Sequence, residues 1–134
     1  MSEERKVAVV ACAGMDKPLG SVARVSAFKV VENLKPASTV LVCIPPLVAG
    51  ANPHPELIKK YPVITVDGCS ERCATKIVAK SGGKIKGRVL VPQSVQKFGL
   101  KPKAAADIGV DGEKLAAKIA EETALLIDKI LGSE

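Results

Sequence analysis

Four short runs of aliphatic residues constrain the fold of this chain more than any other feature. Each is rich in β-branched residues, and none alternates between apolar and polar side chains as a half-exposed strand does. The runs are residues 7–11, 39–42, 63–66 and 88–91. Strands that are buried on both faces of a parallel sheet have continuous apolar sequences of this kind. The four runs therefore predict the strands of a buried, mostly parallel sheet.

Between these runs, apolar residues recur at helical spacing. The longest such stretch precedes the second run and ends before Pro36, because proline stops a helix. Its apolar and small face consists of Leu19, Val22, Ala23, Ser26, Val30 and Leu34. Further helices are predicted over residues 56–61, 70–81 and 112–131. Strands that alternate with helices predict an α/β fold, a three-layer sandwich with a mostly parallel central sheet of four or five strands, Rossmann-like or flavodoxin-like.

The ends of two of these helices carry specific signals. Glycines 82 and 83 close the 70–81 helix, since glycine adopts the left-handed conformation that ends helices. The last helix follows Asp111, a residue type favoured at N-caps. Its predicted buried stripe is Leu115, Ile119, Leu126 and Ile130. Residues 92–108 show no clear pattern.

The length and composition predict one globular domain. The chain of 134 residues suits a single α/β domain over 1–134, with 1–5 as a short N-terminal tail. No stretch approaches the ~20 apolar residues of a membrane-spanning helix. The N-terminus mixes acids and bases, unlike a secretory signal. We therefore expect a cytoplasmic protein without a membrane partner, in which cysteine thiols stay reduced.

Basic residues are concentrated in one part of the chain. The net charge is +6, and residues 59–103 contain eleven Lys and Arg against two acids. Such a band attracts anions. However, aromatic residues, which stack on bases, make up only 2% of the chain. Lysine also outnumbers arginine, the residue suited to bidentate phosphate contacts. Nucleic-acid binding is therefore not expected, and the band is interpreted as a solvated lysine surface.

Four cysteines follow the predicted strands. Cys12 comes directly after the first strand, Cys43 after the second, and Cys69 shortly after the third. Cys73 lies four residues further, one turn into the predicted 70–81 helix. Parallel strands share a carboxyl edge, where open α/β sheets bind ligands, so we expect the thiols to converge there. Cys69 is expected near the N-cap of that helix, where the helix dipole favours a thiolate.

Four converging thiols fit several kinds of chemistry. Four thiolates hold zinc in a closed tetrahedral site, and the same ligand set holds an iron–sulfur cluster. In an enzyme, Cys69 or Cys12 would be the reactive thiolate of a sulfur-transfer or thiol redox reaction. Cysteines also pack as inert small hydrophobes. The spacing favours a metal ion, leaves enzymatic thiols and inert packing open, and indicates no reaction or substrate.

The segment Asp67-Gly68-Cys69-Ser70-Glu71-Arg72-Cys73 resembles the signature of the DGC-domain family, small prokaryotic proteins to which zinc binding is ascribed. The family pattern also has a cysteine in a Cys-x-Gly turn after the first strand, matched by Cys12-Ala13-Gly14, and one after the second strand, matched by Cys43. Its Gly-rich loop after that strand is replaced here by Pro45 and Pro46. The resemblance covers roughly residues 6–80. It implies a zinc ion held by Cys12, Cys43, Cys69 and Cys73.

A few further residues are expected to support this site or to act near it. Gly14 and Gly68 let the backbone turn sharply after two strands, and Asp67 is expected to cap the turn that follows it. His54 is the only histidine, so a histidine-based metal site is not expected. The aliphatic segment 40–51 offers a surface to a second subunit. The sequence thus predicts a metal-binding protein, with zinc as the first candidate.

Overall fold

A four-stranded parallel sheet forms the centre of the protein. The computed structural model describes residues 5–132, so the predicted N-terminal tail lies outside it except for Arg5. The strands are β1 (Val7–Ala11), β2 (Thr39–Val42), β3 (Val63–Asp67) and β4 (Ile85–Leu90). Their order across the sheet is β2-β1-β3-β4, and every neighbouring pair is parallel. This confirms the predicted α/β fold, and the order equals the first four strands of a flavodoxin-like sheet.

Helices connect and cover these strands. They are α1 (Pro18–Phe28), which continues as a π-helical segment (Lys29–Leu34), α2 (Ile44–Ala49), α3 (His54–Lys60), α4 (Cys73–Lys80), α5 (Val91–Phe98) and α6 (Gly109–Gly132). One face of the sheet packs against α1 and α6, and the other packs against α2, α3 and α4. The three predicted layers are therefore present. No helix within residues 5–132 is both long and apolar enough to cross a bilayer.

The continuous apolar runs are explained by the two cores. In β1, Val7 and Val9 belong to the core under α1 and α6, whereas Ala8 and Val10 belong to the opposite core. All four side chains are fully buried. Because both faces of a central strand are covered, an alternating pattern would bury polar side chains at a cost.

Helix α4 begins later than predicted. The sequence pattern predicted a helix from residue 70, but the first helical residue is Cys73. Arg72 precedes it in the left-handed conformation, with φ of 57°, which is incompatible with a continuing right-handed helix. Cys69 was expected near the N-cap of a helix that begins at residue 70, but it belongs to the turn before the helix, whose N-cap is Arg72 and whose first residue is Cys73.

Prolines mark a helix rather than a loop after β2. Pro45 and Pro46 lie in the first turn of α2, where the absent backbone N–H is not needed for an intrahelical hydrogen bond. Proline also affects the fourth run, because Val91 and Pro92 open α5 instead of ending β4. These prolines therefore start helices, although they break the apolar pattern of the sequence.

Helix α6 begins at Gly109, earlier than predicted. Asp107, rather than Asp111, accepts a hydrogen bond from the Gly109 amide at 3.0 Å. Three of the four predicted stripe residues, Leu115, Ile119 and Ile130, are buried. Leu126 is only partly buried, and Ile127 takes its place in the core.

Candidate metal centre

The cysteines lie around the point where the chain changes direction across the sheet. From β1 the chain goes to β2 on one side, and it returns to β3 on the other side of β1. Cys12 follows β1, and Cys69 follows β3. The crevice between such strands, at their carboxyl ends, is where open α/β sheets bind ligands.

Three of the four cysteines line one cavity at this edge. The cavity has a volume of about 270 Å³, and Cys12, Cys69 and Cys73 contribute to its wall. Cys12 is buried with 7% of its surface exposed, whereas Cys69 is half-buried and Cys73 exposed. The remaining wall is formed largely by glycine and aliphatic residues, with Asp16 and Lys17 from the loop that leads into α1. The tertiary structure thus brings together three thiols from separate parts of the chain.

Cys43 lies in a neighbouring cavity. This smaller cavity of about 80 Å³ is lined by Cys43 and also by Cys12, which contributes to both cavities. The backbone amide of Cys43 donates a hydrogen bond to His54 Nδ1 at 3.1 Å. His54 is the first residue of α3, so this hydrogen bond connects Cys43, which follows β2, to α3.

Asp67 caps the N-terminus of α4, and not only the turn that directly follows it as expected. It is 2% exposed, and its Oδ1 accepts hydrogen bonds from the Ala74 amide at 2.9 Å and the Thr75 amide at 3.3 Å. Its Oδ2 accepts a bond from the Thr75 hydroxyl at 2.5 Å. A carboxylate at this position satisfies free amides and complements the helix dipole. These bonds fix Cys73, the first residue of that helix, relative to the end of β3.

Glycines allow the backbone segments around the cavity to approach each other closely. A Cβ atom on Gly68 would lie 2.8 Å from the Gly20 Cα atom. A Cβ atom on Gly20 would in turn overlap with the carbonyl oxygen of Gly14. That oxygen also accepts a hydrogen bond from the Arg24 guanidinium at 2.7 Å. The loop after β1, the first turn of α1 and the loop after β3 are therefore packed backbone against backbone.

The surroundings of Cys73 change its acidity. Desolvation by the surrounding protein raises the pKa of the Cys73 thiol. Negative charge on Cys69, Cys12 and Asp67 and a hydrogen bond with the Cys69 side chain raise this pKa further. The Cys73 side chain is therefore a neutral thiol over a wider pH range than a free cysteine.

The donor set suits a soft metal ion, although the side chains are not arranged around one. Three thiols at one cavity are the ligand type that zinc and iron–sulfur clusters select. Within residues 5–132, however, no three His, Cys, Asp or Glu side chains are grouped closely enough to hold a metal ion as they lie. The residues therefore fit a thiolate-bound metal by their chemistry, and the assignment of Cys12, Cys43, Cys69 and Cys73 as its ligands stays a prediction.

Several contacts of this site were not predicted from the sequence. Gly20, Arg24 and Thr75 hold the loops around the cysteines, and His54 contacts the Cys43 backbone. None of these residues belongs to a sequence motif, because each residue is separated in the chain from the group that it contacts. The two come together only when the protein folds. For His54, the one signal in the sequence is that it is the only histidine.

Of the comparisons with known proteins, one gives a match. Neither a curated protein nor a solved structure matches the chain. The family model of the DGC domain matches residues 8–110, a range that contains all four cysteines and extends beyond the segment of the sequence resemblance. Since this match covers most of the chain, the protein belongs to the DGC-domain family.

Proposed function

We propose that this protein binds a metal ion, with zinc as the first candidate, through cysteine thiolates at the carboxyl edge of its sheet. The observation that carries the proposal is the common cavity of Cys12, Cys69 and Cys73. These residues come from the loop after β1, the turn after β3 and the start of α4. A fold that gathers thiols from three separate places does not need them for packing, because two of them are not buried.

Cys43 is the proposed fourth ligand. It is exposed and lines the adjacent cavity together with Cys12, and Cys12 also lines the cavity of Cys69 and Cys73. Thiolates are soft donors, and a set of four without histidine or carboxylate ligands is typical of zinc or an iron–sulfur cluster. When bound, zinc would connect the loops after β1, β2 and β3 at one point.

Elemental analysis tests the proposal directly. Untagged protein purified without oxygen should contain about one zinc ion per chain, and the Cys69→Ser variant should lose it. Ser70→Ala is the matched control, since Ser70 is exposed and adjacent to Cys69 but carries no thiol. Iron with a brown colour in place of zinc would indicate an iron–sulfur cluster. Low metal content that is the same in wild type and Cys69→Ser would overturn the proposal.

Thiol chemistry without a metal is the second candidate, and the position of Cys69 and Cys73 at one cavity favours it. Exchange with a disulfide substrate would oxidise this pair to a disulfide and reduce the substrate to two thiols. Alkylation of the metal-free protein separates the candidates. A reactive enzyme thiol should be modified much faster than the other cysteines, and activity in a thiol-exchange assay should not require metal.

A further inference from the structure

A second, larger cavity lies at the β4 edge of the sheet. It is an open groove of about 700 Å³ beside β4, which is an edge strand, and it runs between α5 and α6. Within the described part of the chain, it shares no residue with the cysteine cavity. The groove is therefore separate from the proposed metal centre.

A nearly buried hydroxyl without a protein partner lines this groove. Ser94 in α5 is 6% exposed, and its side chain makes no hydrogen bond within residues 5–132. In that range every fully enclosed polar side-chain atom has a partner, so the Ser94 Oγ atom must reach the surface that remains open. Buried hydroxyls normally have a partner. At the wall of a cavity, a ligand or solvent supplies the missing one.

Comparable side chains elsewhere in the protein are all satisfied internally. The buried Ser, Thr and Asp residues that make side-chain hydrogen bonds are Ser21, Ser26, Thr39, Thr65, Asp67 and Thr123. Ser94 differs from them in its position at the groove. Its free hydroxyl is therefore a property of this cavity and not of buried serines in general.

The first turn of α5 adds positive potential at the same place. The helix follows Leu90, which cannot cap it, and no acidic residue lies in its first turn. Leu90, Gln93 and Ser94 all line the groove. An uncapped helix start leaves backbone amides and the positive end of the helix dipole unneutralised, and Ser94 is the fourth residue of this helix.

The charged side chains of the groove leave a surplus of cations. Both of its acids are already paired: Glu122 with Lys97 at 2.6 Å and Asp128 with Lys35 at 2.7 Å. Arg88 and Lys129 also line the groove, and neither has an acidic partner in the described residues. A guanidinium without a partner is well suited to a carboxylate, which it binds through two parallel hydrogen bonds.

The rest of the groove is apolar. Val89 and Leu90 at the end of β4 form one side, and Leu125 and Leu126 of α6 form the other. Leu125 is 65% exposed, so its side chain is available to a ligand in the groove. Pockets with an apolar wall and a few polar groups are typical of small-molecule sites.

From these observations we propose that the groove binds a small organic anion, a carboxylate that carries an aliphatic chain. The Ser94 hydroxyl donates a hydrogen bond to the carboxylate near the start of α5. The Arg88 side chain leaves the edge strand on the face that carries α4, and its guanidinium reaches the carboxylate around the edge of the sheet. The chain of the ligand packs against Leu125 and Leu126. This binding is independent of metal and of the cysteines.

The test is an NMR titration of the full chain with sodium octanoate, followed through backbone amide signals. Octanoate should bind saturably and shift the signals of Gln93, Ser94 and Leu125. The neutral analogue 1-octanol and inorganic phosphate, which each lack one half of the ligand, should bind at least about tenfold more weakly, the equivalent of one charge-assisted hydrogen bond. Equal binding of octanol would show that the groove recognises only the apolar chain, and equal binding of phosphate would show that it recognises any anion. Either result, or no binding of octanoate, overturns the proposal.

Substitutions locate the binding. Arg88→Gln and Ser94→Ala should each weaken octanoate binding about tenfold. The matched control is Lys86→Gln, because Lys86 is an exposed cation on the same strand that does not line the groove. Ser94→Ala should keep the thermal midpoint of the wild type, since no hydrogen bond within the protein is lost, and Arg88 is exposed, so its variant should also fold. Equal weakening by Lys86→Gln would show a diffuse basic surface and contradict the proposal.

Discussion

The Thr75 hydroxyl donates a hydrogen bond of 2.5 Å to the Asp67 carboxylate, which connects the end of β3 to the start of α4. Thr75 also shares a hydrogen bond of 2.7 Å with Thr65, a buried residue of β3. The side chains of Asp67, Thr75 and Thr65 therefore form one hydrogen-bonded network that links β3 to α4. It determines where Cys73, at the first position of the helix, lies relative to the cavity.

Replacement of Asp67 by alanine should lower the free energy of unfolding by about 2–4 kcal/mol, because it removes a helix cap and leaves buried donors without an acceptor. Asp67→Asn should cost less, about 1 kcal/mol, since its amide oxygen still accepts from the helix amides and its NH₂ group donates to the Thr75 hydroxyl. Urea denaturation followed by circular dichroism measures both values. Equal stability of Asp67→Ala and wild type would refute the capping role.

His54→Ala should weaken zinc binding about tenfold, the usual size of an effect that acts through a ligand's support. The reason is that the Cys43 amide donates to His54 Nδ1 at 3.1 Å, so loss of the imidazole frees the backbone that carries the proposed fourth ligand. Competition with a chromogenic chelator measures the affinity. Cys43→Ser should have a larger effect, and Glu56→Gln, an exposed change in the same helix, should have none. Unchanged affinity in His54→Ala would show that His54 does not position Cys43.

Gly68→Ala should destabilise the protein by about 1–3 kcal/mol, because a methyl group 2.8 Å from the Gly20 Cα atom forces two backbone segments apart. Gly132→Ala is a suitable control, since a Cβ atom there meets nothing within 4 Å. Thermal unfolding compares the variants, and wild-type stability of Gly68→Ala would contradict the close packing of these loops. The separation of the loops should also lower metal content if the proposed centre spans them.

The strands were predictable because their physical requirement is local. A strand buried on both faces needs a run of apolar residues, and residues 7–11 and 39–42 coincide with β1 and β2. Helix starts were less predictable. The start of α4 depends on the left-handed Arg72 and on the carboxylate of Asp67, and neither contributes to hydrophobic periodicity.

The candidate site was predictable in part for the same reason. The order of cysteines relative to strands, together with the rule that parallel strands share a carboxyl edge, predicts which thiols lie near one another. It does not predict the cavity to which each thiol contributes. Cys43 lines a different cavity from Cys69 and Cys73, because α2 begins immediately after it and turns the chain at the edge of the sheet.

Local patterns were enough to establish the class of fold, the parallel sheet and the likeness to the DGC-domain family, since apolar runs and a short cysteine motif require no knowledge of distant contacts. Which side chains meet could be learned only from the folded chain. The contacts of His54 with Cys43 and of Gly68 with Gly20 join residues that are separate in the sequence, and the groove beside Ser94 is formed by β4, α5 and α6 together. Such contacts depend on how helices pack on the sheet, and packing is a property of the whole chain rather than of any segment.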